Sequence, residues 1–407
     1  MRLLTNLFRI TLGLVFVFSG FVKAVDPLGS MYKFVDYFQA FSMEFFKPIA
    51  LPLGILLAAI EFLLGVNLFF NLKMKFSSKI LLGFMGFFTI LTFVLALTNP
   101  VSDCGCFGDA IILTNWETFY KNIILMLFAV FVFMFRNKFK PAYSNLIQNV
   151  FITISTAFIL FVSIYSYNHL PIIDFRPYSI GKNIADGMKI PEGAPVDQYE
   201  TILVYSKGGV NKEFTEENYP WQDSTWTFVD SKQKLIKAGY HPPIKDFIVY
   251  KEGEGEITES LLQNEDYVFL LISHNLNKAN FKNNEQINKI ADFCSAQGFT
   301  FYCITATVNN ELEKFKEKYF PVYEFCSADE TNLKTVIRSN PGLLLLKKGT
   351  VINKWHFNDL PDTKDLKGNL VSKYIEENQN DKSKYLNIIF VLSFLLIGVI
   401  LFKAKRK

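Results

Sequence analysis

The sequence predicts a helical membrane bundle with a mixed α/β region on the outer side of the membrane. Three observations predict it. Five apolar runs, each near the ~20 residues a helix needs to cross the hydrocarbon core, fall between Leu3 and Tyr167. Basic residues cluster beside alternate runs, which sets an orientation. From His241 onward, strand-like and helix-like patterns alternate, as in a sheet covered on both faces. Composition agrees: 50% of the 407 residues are hydrophobic and 43 are Phe, while the net charge is only +4. That charge sits in short clusters beside apolar runs, the pattern of topology anchors, so no nucleic-acid partner is expected. Five cysteines are too few, and too odd a number, for a disulfide scaffold.

The first run, Leu3 to Val25, follows Arg2 and contains Arg9. It reads as a span and not as a cleaved signal, because it is long, lacks an Ala-x-Ala-like site and is followed by further spans. Arg9, Gly13, Phe16, Gly20 and Lys23 share one helix face, and its small residues admit a close helix neighbour. Residues 26–46, with Tyr32, Phe34, Val35, Tyr37 and Phe38, read as an amphipathic interfacial segment. The next spans are Pro48–Phe70, Ile80–Leu97, Trp116–Phe135 and Leu146–Tyr167.

Orientation follows from charge. Lys73, Lys75 and Lys79, then Arg136, Lys138 and Lys140, then Lys403, Lys405, Arg406 and Lys407 mark cytoplasmic loops and tail. The loop Asp103-Cys104-Gly105-Cys106-Phe107-Gly108-Asp109 has no Lys or Arg, and is expected outside. Both termini are then cytoplasmic, residues 169–384 lie outside, and a last span, Tyr385–Phe402, returns the tail. A multi-pass protein of the cytoplasmic (inner) membrane is expected.

The outer region divides into residues 169–240, a small β-rich subdomain, and residues 241–376, an α/β domain. In the first, Thr201–Ser206 and Trp226–Val229 are strand candidates around a turn at Lys207-Gly-Gly209. In the second, Tyr267–Ile272, Phe299–Thr305, Val322–Phe325, Leu343–Leu346 and Thr350–Phe357 read as strands. Asn284–Gln297, Asn310–Tyr319 and Asp329–Ser339 read as helices, and a hairpin is expected around residues 247–258.

Two resemblances accompany this pattern. Phe8-Arg9-Ile10 with Gly13, Phe18-Ser19-Gly20-Phe21-Val22-Lys23, and Glu61 followed by Leu64-Gly65 resemble the first two helices of DoxX-like proteins. The Cys-Gly-Cys-Phe-Gly loop resembles the MauE-type branch, similar in layout to the vitamin K epoxide reductase bundle, which makes residues 1–168 one transmembrane bundle. That branch implies maturation of a disulfide-rich enzyme subunit. Vitamin K epoxide reductases also carry a Cys-x-x-Cys in a helix, which is absent here.

Residues 241–359 resemble TlpA/ResA-like thioredoxin folds. Pro242-Pro243-Ile-Lys-Asp-Phe247 looks like their opening hairpin, and Arg338-Ser-Asn-Pro341-Gly like the segment carrying their cis-proline, here Pro341. Where that family places Trp-Cys-x-x-Cys, this chain reads Ser273-His-Asn-Leu-Asn-Lys-Ala279. The resemblance therefore implies a thioredoxin-like domain without ordinary dithiol exchange at that site.

Cys104 and Cys106 are the candidate redox pair. A glycine between them permits the 4.4–6.8 Å Cα separation of a disulfide, and an outer location lets one form; the alternative is a structural turn with packed thiols. Asp103 and Asp109 would raise the thiol pKa values by like-charge repulsion. Two thiolates with no nearby histidine make half a zinc shell, so no metal is expected. Glu61 lies inside a span and needs a partner, with Arg9 and Lys23 as candidates; the alternatives are an interhelical ion pair or a proton or ligand site. Cys326, following Val322–Phe325 at a strand end, is a candidate partner thiol, and His274 stands where the active-site turn would begin. Cys294 and Cys303 read as packing residues.

Three functions remain open. One is membrane thiol–disulfide exchange at Cys104 and Cys106, the degenerate domain presenting an outer protein that carries thiols. Another is a non-catalytic anchor or assembly factor binding a polypeptide beside Pro341. The third is a small-molecule or quinone site around Glu61. No cofactor is evident in the residues; a membrane quinone is the one that the third reading admits.

Overall fold

The computed structural model describes residues 2–101, 103–141, 143–237 and 239–374. The span expected at Tyr385–Phe402 and the basic tail lie outside the described residues. Two compact units emerge: the described residues through Lys182 joined to those from Ile248 onward, and Asn183–Phe247.

The first unit begins with α1 (Arg2–Val25), α2 (Pro27–Ala40), α3 (Ala50–Phe70), α4 (Met74–Thr98), α5 (Asn115–Met134) and α6 (Asn145–Asn168). Among the described residues, α1, α3 with the turn before it, α4, α5 and α6 are long and apolar enough to cross a membrane. Large apolar side chains point outward from them, among them Phe87, Ile90, Leu127, Ile154 and Phe161. Lipid is the phase that makes such exposure favourable.

Helices α1 and α3 pack antiparallel at a glycine seam. A Cβ on Gly20 would collide with the Phe62 amide and the Ala58 carbonyl, and one on Gly65 with the Val17 amide. The glycines therefore let the two backbones approach where any side chain would hold them apart. Helix α4 starts at Met74, not at Ile80. Lys75, Ser77, Ser78 and Lys79 belong to its first turns, and Ser77 Oγ donates to the Leu72 carbonyl. Apolar periodicity missed those polar turns because hydropathy marks the lipid-buried part of a helix, not its ends. Helix α2 is an ordered helix capped by Asp26, whose carboxylate accepts from Gly29 N, with Pro27 opening the first turn.

The remainder of this unit is a sheet with helices. The second unit holds the first three strands of the chain, β1 (Gln198–Lys207), β2 (Val210–Thr215) and β3 (Thr227–Lys237); the strands here are β4 (Tyr250–Lys251), β5 (Gly255–Glu256), β6 (Tyr267–Ser273), β7 (Thr300–Thr305), β8 (Glu324–Ser327), β9 (Gly342–Lys347) and β10 (Thr350–His356). The order is β10-β9-β6-β7-β8-β4-β5. Strands β6, β7 and β8 run parallel, and β9 is antiparallel to β6. Helices α8 (Thr258–Gln263), α9 (Asn284–Gln297), α10 (Asn310–Tyr319) and α11 (Glu330–Val336) connect them. Every residue of β6 is buried, as expected of a central strand covered on both faces.

Two boundaries differ from the sequence reading. Helix α11 ends at Val336, short of Ser339, because Asn340 precedes Pro341 and the chain must extend before a proline; the Asn340–Pro341 bond is cis. Strand β8 is shifted, so Cys326 lies within it, paired with Ile304 of β7 and Lys251 of β4. Segment 169–182 is tied to β10. Gly181 N donates to the Val351 carbonyl at 2.8 Å, and the buried Lys354 Nζ donates to Asp174 at 2.9 Å.

The second unit holds α7 (Ile184–Met188) and an antiparallel sheet of β1 (Gln198–Lys207), β2 (Val210–Thr215) and β3 (Thr227–Lys237), ordered β2-β1-β3. Gly208 and Gly209, both at positive φ, make the β1–β2 turn that Lys207-Gly-Gly predicts. Tyr205, Phe214, Trp226 and Phe228 pack as an aromatic cluster across it.

Candidate functional site: the cysteine loop and its supports

The loop from Asp103 to Asp109 connects α4 to α5. Gly105 adopts φ +63°, a left-handed conformation natural to glycine, and its amide is held by Asp103 Oδ1 at 2.9 Å. This turn brings the sulfurs of Cys104 and Cys106 within bonding distance, with their Cα atoms 5.5 Å apart. Both residues are half-buried.

The backbone of the pair is fastened by the bundle. Tyr37 of α2 donates its hydroxyl to the Cys104 carbonyl at 2.8 Å. Lys23 of α1 donates to the Cys106 carbonyl, to Ser19 Oγ at 2.8 Å and to Glu61 Oε2 at 2.8 Å. Ser19 Oγ stands 2.7 Å from Glu61 Oε2 and 2.7 Å from the Cys106 carbonyl oxygen. An ammonium has three donors, and all three of Lys23's are engaged. Lys23 and Glu61 are each about 6% exposed, so the pair spares both an unpaired charge in the bundle.

Arg9 does not join them. It lies at the other end of α1 and donates to the carbonyls of Leu68 and Phe69. Antiparallel packing sets Lys23 level with Glu61 and Arg9 level with the last turn of α3.

Each aspartate of the loop has a cation. Lys33 Nζ lies 2.6 Å from Asp103 Oδ2, and Arg338 Nη2 donates to Asp109 Oδ2 at 2.9 Å. The repulsion that the sequence predicts between carboxylates and a thiolate is therefore opposed by neighbouring positive charge. Burial still pushes the Asp109 carboxyl up, against the pull of Arg338.

Arg338 comes from the α/β region, and its Nε also donates to both oxygens of Asp26, at 3.0 and 2.8 Å. Beside it, Tyr32 of α2 is enclosed by Arg338, Lys334 and His274, whose ring meets it edge-on at 6.5 Å. The sheet edge carrying His274 and Arg338 thus rests against α2. Sequence reasoning missed Arg338, Tyr32 and Tyr37; only their types, an arginine three residues before Pro341 and aromatics in an amphipathic helix, were visible.

The other sequence candidates lie elsewhere. Pro341 is buried, and Ser339 Oγ bonds its carbonyl. His274 is 3.6 Å from Glu330, too far for a hydrogen bond, and burial lowers it to about 4, so it is neutral at pH 7. Cys326 is 3% exposed inside β8, its thiol pushed up to about 12 by burial, and it does not line the cleft at the loop. Its burial follows from the shifted strand, which turns the side chain into the sheet. Cys294 and Cys303 are buried as well, with thiols raised by desolvation. Among the described residues no group of three or more His, Cys, Asp or Glu is gathered as a metal site.

Two family models match the chain. Methylamine utilisation protein MauE matches residues 1–135, which cover α1 to α5 and the cysteine loop, and a domain of unknown function (DUF8463) matches residues 199–238, which cover β1 to β3. No curated protein and no solved structure matches. The first third of the chain is therefore similar to MauE, and the five apolar helices agree with a membrane protein.

Proposed function

We propose that this MauE-like membrane protein carries out thiol–disulfide exchange, with Cys104 and Cys106 as its redox pair. The observation that carries the proposal is the pairing of the two sulfurs on a loop whose carbonyls are gripped by Tyr37 and Lys23. Such a grip fixes the backbone while the sulfurs change state. In the exchange, a thiolate of the reduced partner attacks one sulfur and a mixed disulfide forms. That attack releases the second cysteine of the pair as a thiolate; the partner's other thiolate then attacks the partner sulfur of the mixed disulfide and displaces the first cysteine, so two electrons and two protons pass to the pair. The reverse sequence reduces a partner.

Charge distribution supports an outer location for the loop: Lys73, Lys75, Lys79, Arg136, Lys138 and Lys140 flank the opposite ends of the spans. The α/β region is read as a degenerate thioredoxin-like domain. Its parallel β6–β7–β8 core, antiparallel β9 after Pro341, and helices on the connections support that reading. With no cysteine in the turn 274–279 that follows β6, and its edge against α2, this domain is read as a cap over the loop. The matching family model is described as a methylamine utilisation protein, and the resemblance to that branch implies a disulfide-bearing enzyme subunit as the substrate class.

Trapping tests the proposal. Cys104→Ala and Cys106→Ala, expressed full-length in a host that makes its protein partners, should each retain a single reactive thiol. At least one should accumulate a mixed disulfide with an extracytoplasmic protein. If neither does, and both variants support partner maturation as well as wild type, the loop is structural.

A further inference from the structure

A cleft of about 580 Å³ lies at the cysteine loop and reaches into the bundle. That volume suits a small molecule. Cys104 and Cys106 form part of its wall, and Phe16 of α1, Leu57 of α3, and Phe84 and Phe88 of α4 form another. Helix α4 also turns Phe87 and Ile90 outward at 62% and 69% exposure, so the phase beside this wall is lipid. Arg338 and Tyr32 line the same cleft from the cap side.

Two charged residues lining the cleft, Asp36 of α2 and Lys121 of α5, have no use in the contacts described above, and Lys121 is the cation of the two. Lys121 of α5 lines it, with Nζ 4.4 Å from the centroid of the Phe107 ring. Glu61, the carboxylate whose field it feels, is already engaged by Lys23. A cation on a membrane-spanning helix that lines a cavity marks a ligand pathway. Its neighbour Asn122 donates to Thr92 Oγ1 at 3.2 Å and is satisfied. The cleft thus combines aromatic walls facing lipid, one cation ready for an oxygen, and a sulfur pair.

We propose that this cleft takes a lipid-soluble electron acceptor of the quinone class, with Lys121 meeting a carbonyl oxygen of the ring. The inference rests on the redox reading of Cys104 and Cys106 and supplies its oxidant. The two thiols give up two electrons and two protons and form one S–S bond. The quinone takes the same two electrons and two protons, and its two carbonyl oxygens become hydroxyls. Lys121 stabilises negative charge as it develops on the oxygen it meets. Glu61, bonded to Lys23 and Ser19, is a support of the loop and not the ligand's anchor.

The test uses full-length protein in lipid nanodiscs, reduced with dithiothreitol and freed of it. A short-tailed benzoquinone is added, and both quinone absorbance and thiol titre are followed. The expected result is one quinol formed per pair oxidised. Lys121→Met should raise the half-saturating quinone concentration about tenfold, the loss of one hydrogen bond to a charged group. Phe88→Trp, which narrows the cleft, should raise it as well. Oxidation of the pair by glutathione disulfide is measured on the same wild-type sample. A pair that glutathione disulfide oxidises and the quinone does not overturns this inference and leaves the redox reading standing. A pair that neither reagent oxidises overturns both. Quinone reduction at wild-type half-saturation in both variants overturns the assignment of the site.

Discussion

Replacing Arg338 with Ala should loosen the cap from the loop. Arg338 is 5% exposed and makes three hydrogen bonds to carboxylate oxygens, two on Asp26 and one on Asp109. Removing one member of a buried, hydrogen-bonded ion pair costs about 3–5 kcal/mol, because the partner charge stays buried. Here the carboxylates keep some water, with side-chain exposures of 16% for Asp26 and 35% for Asp109, so screening reduces the cost to about 2–4 kcal/mol. If the contact opens in one step, its open population rises about 30- to 900-fold. Hydrogen exchange of the full-length protein reads this at the amides of α2 and of the loop. They should exchange faster by that factor, while β6 and β9 keep their protection. Arg338→Lys keeps the charge and loses the planar fork, and should fall between. Unchanged exchange at α2 and the loop in Arg338→Ala would refute the idea that this residue clamps the cap.

Three further outcomes follow from the same contacts. Lys23→Met removes the partner of Glu61 and the donor to the Cys106 carbonyl, and should destabilise the bundle by about 3–5 kcal/mol. Lys23→Met combined with Glu61→Gln should recover part of it, as read by thermal unfolding in detergent. Gly20→Ala and Gly65→Ala each drive a methyl into the facing backbone, and should each cost about 1–3 kcal/mol; an unchanged unfolding midpoint would contradict the close seam of α1 and α3. The third outcome concerns pH. Burial holds His274 and His356 at about 4, below the ordinary 6.5. Between those values the unfolded chain binds the proton and the folded chain does not, so stability falls as pH drops through the window. At pH 5 the loss is up to about 2 kcal/mol per histidine. Thermal unfolding of the full-length protein at pH 7 and pH 5 measures it, and equal midpoints would show the two rings to be solvated.

The spans were legible because length and apolarity are properties of a single stretch of chain. The strands β6 and β9 were legible for the same reason, as continuous apolar runs between turn signals. The partner of Glu61 was not, because Arg9 and Lys23 share one face of α1; only the antiparallel pairing with α3 selects Lys23. The clamp of Arg338 on Asp26 joins residues 312 positions apart, and no local pattern encodes it. Asp103 and Asp109 looked unfavourable to a thiolate because their cations, Lys33 and Arg338, arrive from other elements. Lys121 was not singled out in the sequence, because nothing local to it shows that it lines a cleft. Cys326 misled because one strand was read two residues early, which turned a buried side chain into an apparent edge residue.

The most direct measurement of the central claim is a redox titration of the cysteines in native membranes. Membranes are equilibrated in thiol–disulfide buffers of graded potential, quenched, and tagged with a mass-labelled maleimide after unfolding. Cys104 and Cys106 should convert together, as one two-electron couple with a slope of about 30 mV per tenfold change in ratio. Cys294, Cys303 and Cys326 should remain thiols throughout. Cys104 and Cys106 that stay in a single state across the whole series would contradict the account.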